Sequence, residues 1–239
     1  MITVLTAVIC LSGFQLWQIS AVYISEARIR DGLSTYSPDE AKDDQAPEDS
    51  SLDGLEMNRR ITDMQKEVNK DIVGWLRIPD TRIDYPFVQG EENEYYLKRD
   101  LYGNSAAAGT LFMDSRCTKG FSGFNTIIYG HNMKNGSMFG DLYLYADEWF
   151  FNENSAGTIF LKDKVYKLEI FAYMVVRADD KIIYDPMANR NAFYNYVREN
   201  ARNYKEPENG KNIVILSTCA YNFNGARIVV IANTVNVRS

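Results

Sequence analysis

From Gly74 to the end of the chain, short runs rich in β-branched and aromatic residues alternate with boundaries of Gly, Asn and Asp. They occupy residues 75–78, 83–88, 109–113, 126–129, 158–161, 166–176, 213–218 and 227–235. Runs of this length and spacing predict strands, and so many of them predict a β-barrel or sandwich. Two stretches break the pattern with helical periodicity, 138–146 and 192–204, the second placing Phe193, Tyr196, Val197 and Tyr204 on one face. Those aromatics read as core packing. Ahead of the strands, Met57, Ile61, Met64 and Val68 recur at helical spacing with charged residues between them. This predicts an amphipathic helix docked on the β-rich body, with a helical protein–protein contact as its alternative role.

The pattern changes on the N-terminal side. Residues 31–53 are rich in Asp, Glu, Ser, Pro and Gly, and should stay solvated as a tether. The first 25 residues carry no charged side chain and are mostly apolar, long enough at ~1.5 Å per residue to cross a bilayer core of ~30 Å. Tyr23-Ile24-Ser25 makes a poor cleavage site, so the expectation is an uncleaved anchor, with Trp17 and Tyr23 suited to the interface. Arg28 and Arg30 follow the segment, which by the positive-inside rule opposes export; either basic residues lie upstream or the domain is exported despite them. The expected organisation is an anchor over 1–25, a tether over 26–55 and one folded domain over 56–239.

Composition refines this picture. A chain of 239 residues, 46% hydrophobic, holds one well-cored domain plus an extra segment. Its net charge of −6 is local: residues 31–56 hold nine carboxylates against Lys42 alone, whereas 57–239 are nearly balanced with 23 basic and 22 acidic residues. With no basic stripe and no nucleic-acid motif, there is little reason to propose a polyphosphate partner, and no nucleic-acid partner is expected. The three cysteines, Cys10, Cys117 and Cys219, form neither a disulfide framework nor a zinc-ligand pattern.

Two of the reactive residue types stand at strand ends. The only histidine, His131, follows the apolar run Thr126-Ile127-Ile128-Tyr129-Gly130, where Gly130 is expected to permit an unusual backbone turn. Cys219 closes Ile213-Val214-Ile215-Leu216-Ser217-Thr218. The next strand opens with Arg227 after the turn-like 220–226, so an antiparallel reversal would make Cys219 and Arg227 cross-strand neighbours. Taken singly, each residue has a bland reading: a hydrogen-bonded structural histidine, a small buried hydrophobe, a solvated strand-edge arginine. Together they suit nucleophilic catalysis. The thiol must become a thiolate to attack a carbonyl, and histidine can exchange the proton near neutrality. An unperturbed pair, with reference pKa values of ~8.5 and ~6.5, would be thiolate–imidazolium only about 1% of the time, so a neighbouring guanidinium has work to do on the thiolate and on a developing oxyanion.

Leu216-Ser217-Thr218-Cys219, Tyr129-Gly130-His131 well upstream, and an arginine eight residues after the cysteine resemble the signature of the sortase family. The resemblance covers roughly 56–239 and extends to the anchor and tether. A helix ahead of the barrel, Asn93-Glu94-Tyr95-Tyr96-Leu97 after the second strand and a long helix between the sixth and seventh strands look like class B. The resemblance implies a mainly β fold, an eight-stranded sortase-type barrel with peripheral helices. It implies a transpeptidase on the extracellular face of a Gram-positive cell membrane, held by a single N-terminal helix, with no metal or organic cofactor. Cys219 would attack a threonine carbonyl in the C-terminal sorting signal of a surface protein or pilin. His131 would act as acid/base and Arg227 as cationic helper, and a peptidoglycan-precursor or pilin amine would resolve the thioacyl enzyme. Asn93, Leu97, Tyr129 and Ser217 correspond to substrate-groove residues. Ala220 departs from the acidic residue that some relatives carry after the cysteine, and no groove residue is assigned within 177–186.

Two other readings compete. A different exported Cys–His hydrolase would use the same pair, but the order histidine before cysteine opposes a papain-like arrangement, and no histidine lies close to Cys219 as in wall L,D-transpeptidases. A non-catalytic cell-surface binding domain explains the anchor, tether and strands but leaves the strand-end trio to coincidence.

Overall fold

The computed structural model describes residues 50–208 and 211–238, together with Ser12. The expected anchor, apart from Ser12, and the tether up to residue 49 lie outside the described residues. Among the described residues no helix is long and apolar enough to cross a membrane.

The first helix, α1 (Ser50–Glu67), starts within the stretch expected to be tether. Once a turn is docked, extending a helix adds one hydrogen bond per residue fixed, so polar residues ahead of the apolar stripe join at small cost. Met57, Ile61 and Met64 are fully buried against Ile72, Trp75, Phe160 and Val165, forming a second core on the outside of the barrel. Each such side chain contributes up to about 1.5–3 kcal/mol. Val68 lies just past the helix and is only partly buried.

The strands are β1 (Ile72–Arg77), β2 (Asp84–Val88), β3 (Leu111–Met113), β4 (Asn125–Tyr129), β5 (Ala156–Leu161), β6 (Val165–Arg177), β7 (Asn203–Tyr204), β8 (Asn212–Cys219) and β9 (Ala226–Arg238). Two helices interrupt them, α2 (Glu148–Glu153) and α3 (Arg190–Asn200). In space the order is β5-β1-β2-β3-β4-β8-β9-β6, and β5 pairs again with β6, closing an eight-stranded mixed barrel to which β7 adds on β6. The pairs β2–β3 and β4–β8 are parallel and the others antiparallel. The long β6–β9 ladder slips register between Val165 and Tyr166 and between Ile170 and Ala172, and such bulges bend long strands around a barrel. Leu76, Phe87, Leu111, Ile128, Phe139, Ile215 and Val230 belong to the main core.

All eight expected strands are present, and the differences from expectation lie at the helices. The 192–204 pattern does not continue as a helix to Tyr204. Ala201 turns extended, and the N–H groups of Arg202 and Lys205 donate to the carbonyls of Tyr173 and Phe171, so Asn203 and Tyr204 become the ninth strand. Cross-strand bonding has overridden the helical spacing. The 138–146 stretch is a 3-10 helix over Gly140–Ala146 only; Met138 holds a φ of 54°, which no right-handed helix accepts, so the helix begins after it.

Candidate active site

The parallel pairing of β4 with β8 is what assembles the site. It sets Tyr129 opposite Ser217, so both strands finish at the same end of the barrel and deliver His131 and Cys219 to one place. The junction is tied by three hydrogen bonds. Gly130 N–H donates to the Ser217 carbonyl (3.1 Å), Thr218 Oγ1 to the Gly130 carbonyl (2.7 Å) and Asn132 Nδ2 to the Cys219 carbonyl (2.7 Å). Gly130 is needed for space and not, as the sequence suggested, for an unusual turn: its φ is not in the left-handed region, but a Cβ there would lie 2.4 Å from Leu111 Cδ2 and 2.8 Å from the Phe139 ring.

The β8–β9 register places Cys219 opposite Arg227, the cross-strand pairing expected from the sequence. Both side chains are partly exposed. Arg227 Nη1 donates to the Ala226 carbonyl (2.9 Å), and among the described residues no carboxylate pairs with its guanidinium. Its charge therefore has no acidic partner among the described residues.

His131 Nε2 lies 2.7 Å from the Leu97 carbonyl. A carbonyl only accepts, so Nε2 donates there and Nδ1 is the acceptor nitrogen of the neutral ring. Leu97 is brought there by a close backbone approach. Gly109 has a φ of +60°, and a Cβ on it would sit 2.6 Å from the Leu97 oxygen, a contact no other residue could make without displacing that carbonyl.

Cys219, His131 and Arg227 line one groove of about 690 Å³, and so do all four residues that the resemblance assigned to substrate contact, Asn93, Leu97, Tyr129 and Ser217. The sequence left out Phe112, Arg116 and Tyr184, which also line it. Tyr184 stacks on Tyr129 with ring centroids 6.1 Å apart at 24°, and its hydroxyl shares a 2.8 Å hydrogen bond with Ser217 Oγ. Burial pushes the Tyr184 phenol up to about 12, so it stays neutral at physiological pH. Tyr184 lies in the 177–186 stretch for which no groove assignment was made.

Cys117 is a different kind of thiol. It is 5% exposed within the main core; its Sγ accepts from Ile127 N–H (3.4 Å) and donates to the Asn125 carbonyl (3.6 Å). Burial raises its pKa to about 11, leaving almost no thiolate at neutral pH. Cys117→Ala should keep peptide turnover within about twofold of wild type, at a stability cost of about 1 kcal/mol. Iodoacetamide labelling followed by peptide mapping checks the same point: Cys219 should be modified well before Cys117, and the reverse order would overturn the contrast.

A model of the sortase domain matches residues 76–235, and the chain belongs to the sortase family of cell-surface enzymes. Within that family it is a class B sortase, a cysteine transpeptidase. Sortase B of Listeria monocytogenes is 39% identical over 169 residues, spanning 69% of this chain and 68% of its own. Sortase B of Staphylococcus aureus is 31% identical over 181 residues, spanning 72% and 73%. The crystal structure of a Streptococcus pyogenes class B sortase involved in pilus biogenesis matches with a TM-score of 0.68 and 31% identity, covering 73% of this chain and 97% of that one.

Proposed function

We propose that Cys219 is the nucleophile of this transpeptidase, His131 its acid/base and Arg227 its oxyanion donor. The observation carrying this reading is that two separate pairings, β4 with β8 and β8 with β9, converge on one groove end with an imidazole, a thiol and a guanidinium unpaired with any carboxylate among the described residues. In the proposed sequence the Cys219 thiolate adds to a threonine carbonyl of a sorting signal, forming the C–S bond, while Arg227 donates to the resulting oxyanion. The tetrahedral adduct collapses with loss of the C–N bond, and His131 gives its Nδ1 proton to the leaving amine. An acceptor amine then adds to the thioacyl carbon, His131 takes its proton, and the thiolate leaves. Asn93, Leu97, Tyr129 and Ser217 would hold the residues ahead of the threonine.

The donors are proposed to be surface proteins or pilins bearing a sorting signal, and the acceptor a peptidoglycan-precursor or pilin amine. Residues 1–25, an uncharged apolar stretch, are proposed to anchor the enzyme with its domain outside the cell, and 26–49 to act as an acidic tether. The test is incubation of the full chain in detergent with a library of threonine-containing sorting-signal peptides, read by mass spectrometry. A thioester adduct on the Cys219 peptide, discharged by an added amine, is expected. Turnover with no adduct at Cys219 would overturn the assignment.

A further inference from the structure

The turn that follows β3, Asp114-Ser115-Arg116, touches three sides of the groove although none of its residues was singled out in the sequence. Ser115 N–H donates to Asn93 Oδ1 (2.8 Å) and Tyr129 hydroxyl donates to Asp114 Oδ2 (2.9 Å). Arg116 Nη2 donates to the Tyr184 carbonyl (3.0 Å) while Nε and Nη2 grip the two oxygens of Asp114 at 2.9 and 2.7 Å. One ion pair therefore joins the two stacked tyrosines: Tyr129 through its hydroxyl and Tyr184 through its backbone.

The turn itself is firmly seated. Asp114 N–H donates to the Ile127 carbonyl, and Gln89 Nε2 donates to the carbonyls of Asp114 (3.0 Å) and Cys117 (2.9 Å). Asp114 is 0% exposed, and a buried carboxylate persists in charged form only with its oxygens satisfied. Burial works against its ionisation, but the hydrogen bonds from Arg116 and Tyr129 outweigh it and hold the carboxyl below the usual range. The neighbouring wall is held from the barrel as well, for Asn125 Nδ2 donates to the carbonyls of Ile183 (3.0 Å) and Asp185 (2.9 Å). Three successive carbonyls, 183 to 185, are thus each held by a side chain, with Arg116 taking the middle one.

We propose that Arg116 is a positioning residue for the peptide groove, which through Asp114 and the Tyr184 carbonyl fixes the spacing of the Tyr129 and Tyr184 walls and so sets peptide affinity without taking part in the chemistry. This rests on the reading of the groove as the sorting-signal site. The guanidinium has planar donors for two partners at once, which an ammonium cannot reproduce. Lysine at 116 would keep the Asp114 charge pair and lose the simultaneous hold on Tyr184.

Steady-state kinetics of Arg116→Lys on a threonine peptide that forms the wild-type adduct tests this. KM should rise about tenfold with kcat within about twofold, the split expected when ground-state and transition-state binding are lost equally. Iodoacetamide should label Cys219 at the wild-type rate. The double variant Asp114→Asn/Arg116→Ala, which removes the buried charge along with its partner, should show the same KM rise. KM within twofold of wild type in both variants, or kcat falling while KM holds, would overturn the positioning role while leaving the transpeptidase reading intact. Failure of the wild-type chain to form an adduct with any library peptide would overturn both.

Discussion

In a Cys219→Ala chain no thioacyl adduct should form with any sorting-signal peptide, and transfer should fall to background. The substitution removes one sulfur from a partly exposed side chain at the end of β8, and the hydrogen bonds that fix that strand end do not involve the sulfur. The Cys219 carbonyl still accepts from Asn132, and Thr218 still donates to Gly130, so the His131 and Arg227 environments are kept. Melting temperature should therefore shift by no more than about 2 °C, within what a surface-type change produces. This separates chemistry from folding. An adduct that persists in Cys219→Ala and vanishes in Cys117→Ala would move the nucleophile to the buried thiol, against its packing and its raised pKa. Mass spectrometry of the intact chain after a peptide challenge decides between them.

The site was legible in the sequence to different degrees, for physical reasons. Cys219 and Arg227 are joined by one short reversal, so the eight-residue spacing and the alternation of the strands were enough to set them opposite each other. His131 reaches them through a parallel pairing of β4 with β8, strands far apart in the chain with β5, β6 and α3 between them. No local pattern encodes such a pairing; the complementary chemistry of the three side chains and the family resemblance linked them. The Asp114–Arg116 pair was not singled out in the sequence. Its importance comes from the complete burial of Asp114, which depends on tertiary contacts with Gln89, Ile127 and Tyr129. Tyr184 was hidden because the resemblance aligns ambiguously over 177–186; its place is set by hydrogen bonds to its neighbours' carbonyls from Asn125 and to its own from Arg116. Tyr204 shows the opposite error, a residue at helical spacing captured by a strand edge.

Arg227→Lys distinguishes the possible tasks of that cation. Lysine keeps the positive charge opposite Cys219 but replaces a planar fork with a point charge on a flexible stem. Were Arg227 a solvated strand-edge residue, lysine would serve almost as well. Were its task only to favour the thiolate, most of the benefit would survive, since a cation at similar range acts on the sulfur through charge and not geometry. The observed geometry argues for more: one Nη1 bond to the Ala226 carbonyl orients the guanidinium, and no carboxylate among the described residues neutralises it. A donor held in advance stabilises developing charge without reorganising as the reaction proceeds, which is the source of the oxyanion effect. kcat/KM should therefore fall by about 10²-fold or more, the scale of losing one such donor, with kcat bearing the larger part and melting temperature little changed. The measurement is steady-state transfer alongside single-turnover acylation, because the loss should appear in the acylation step itself. Activity within about threefold of wild type would remove the oxyanion role from Arg227 and leave it a merely electrostatic neighbour of the thiol.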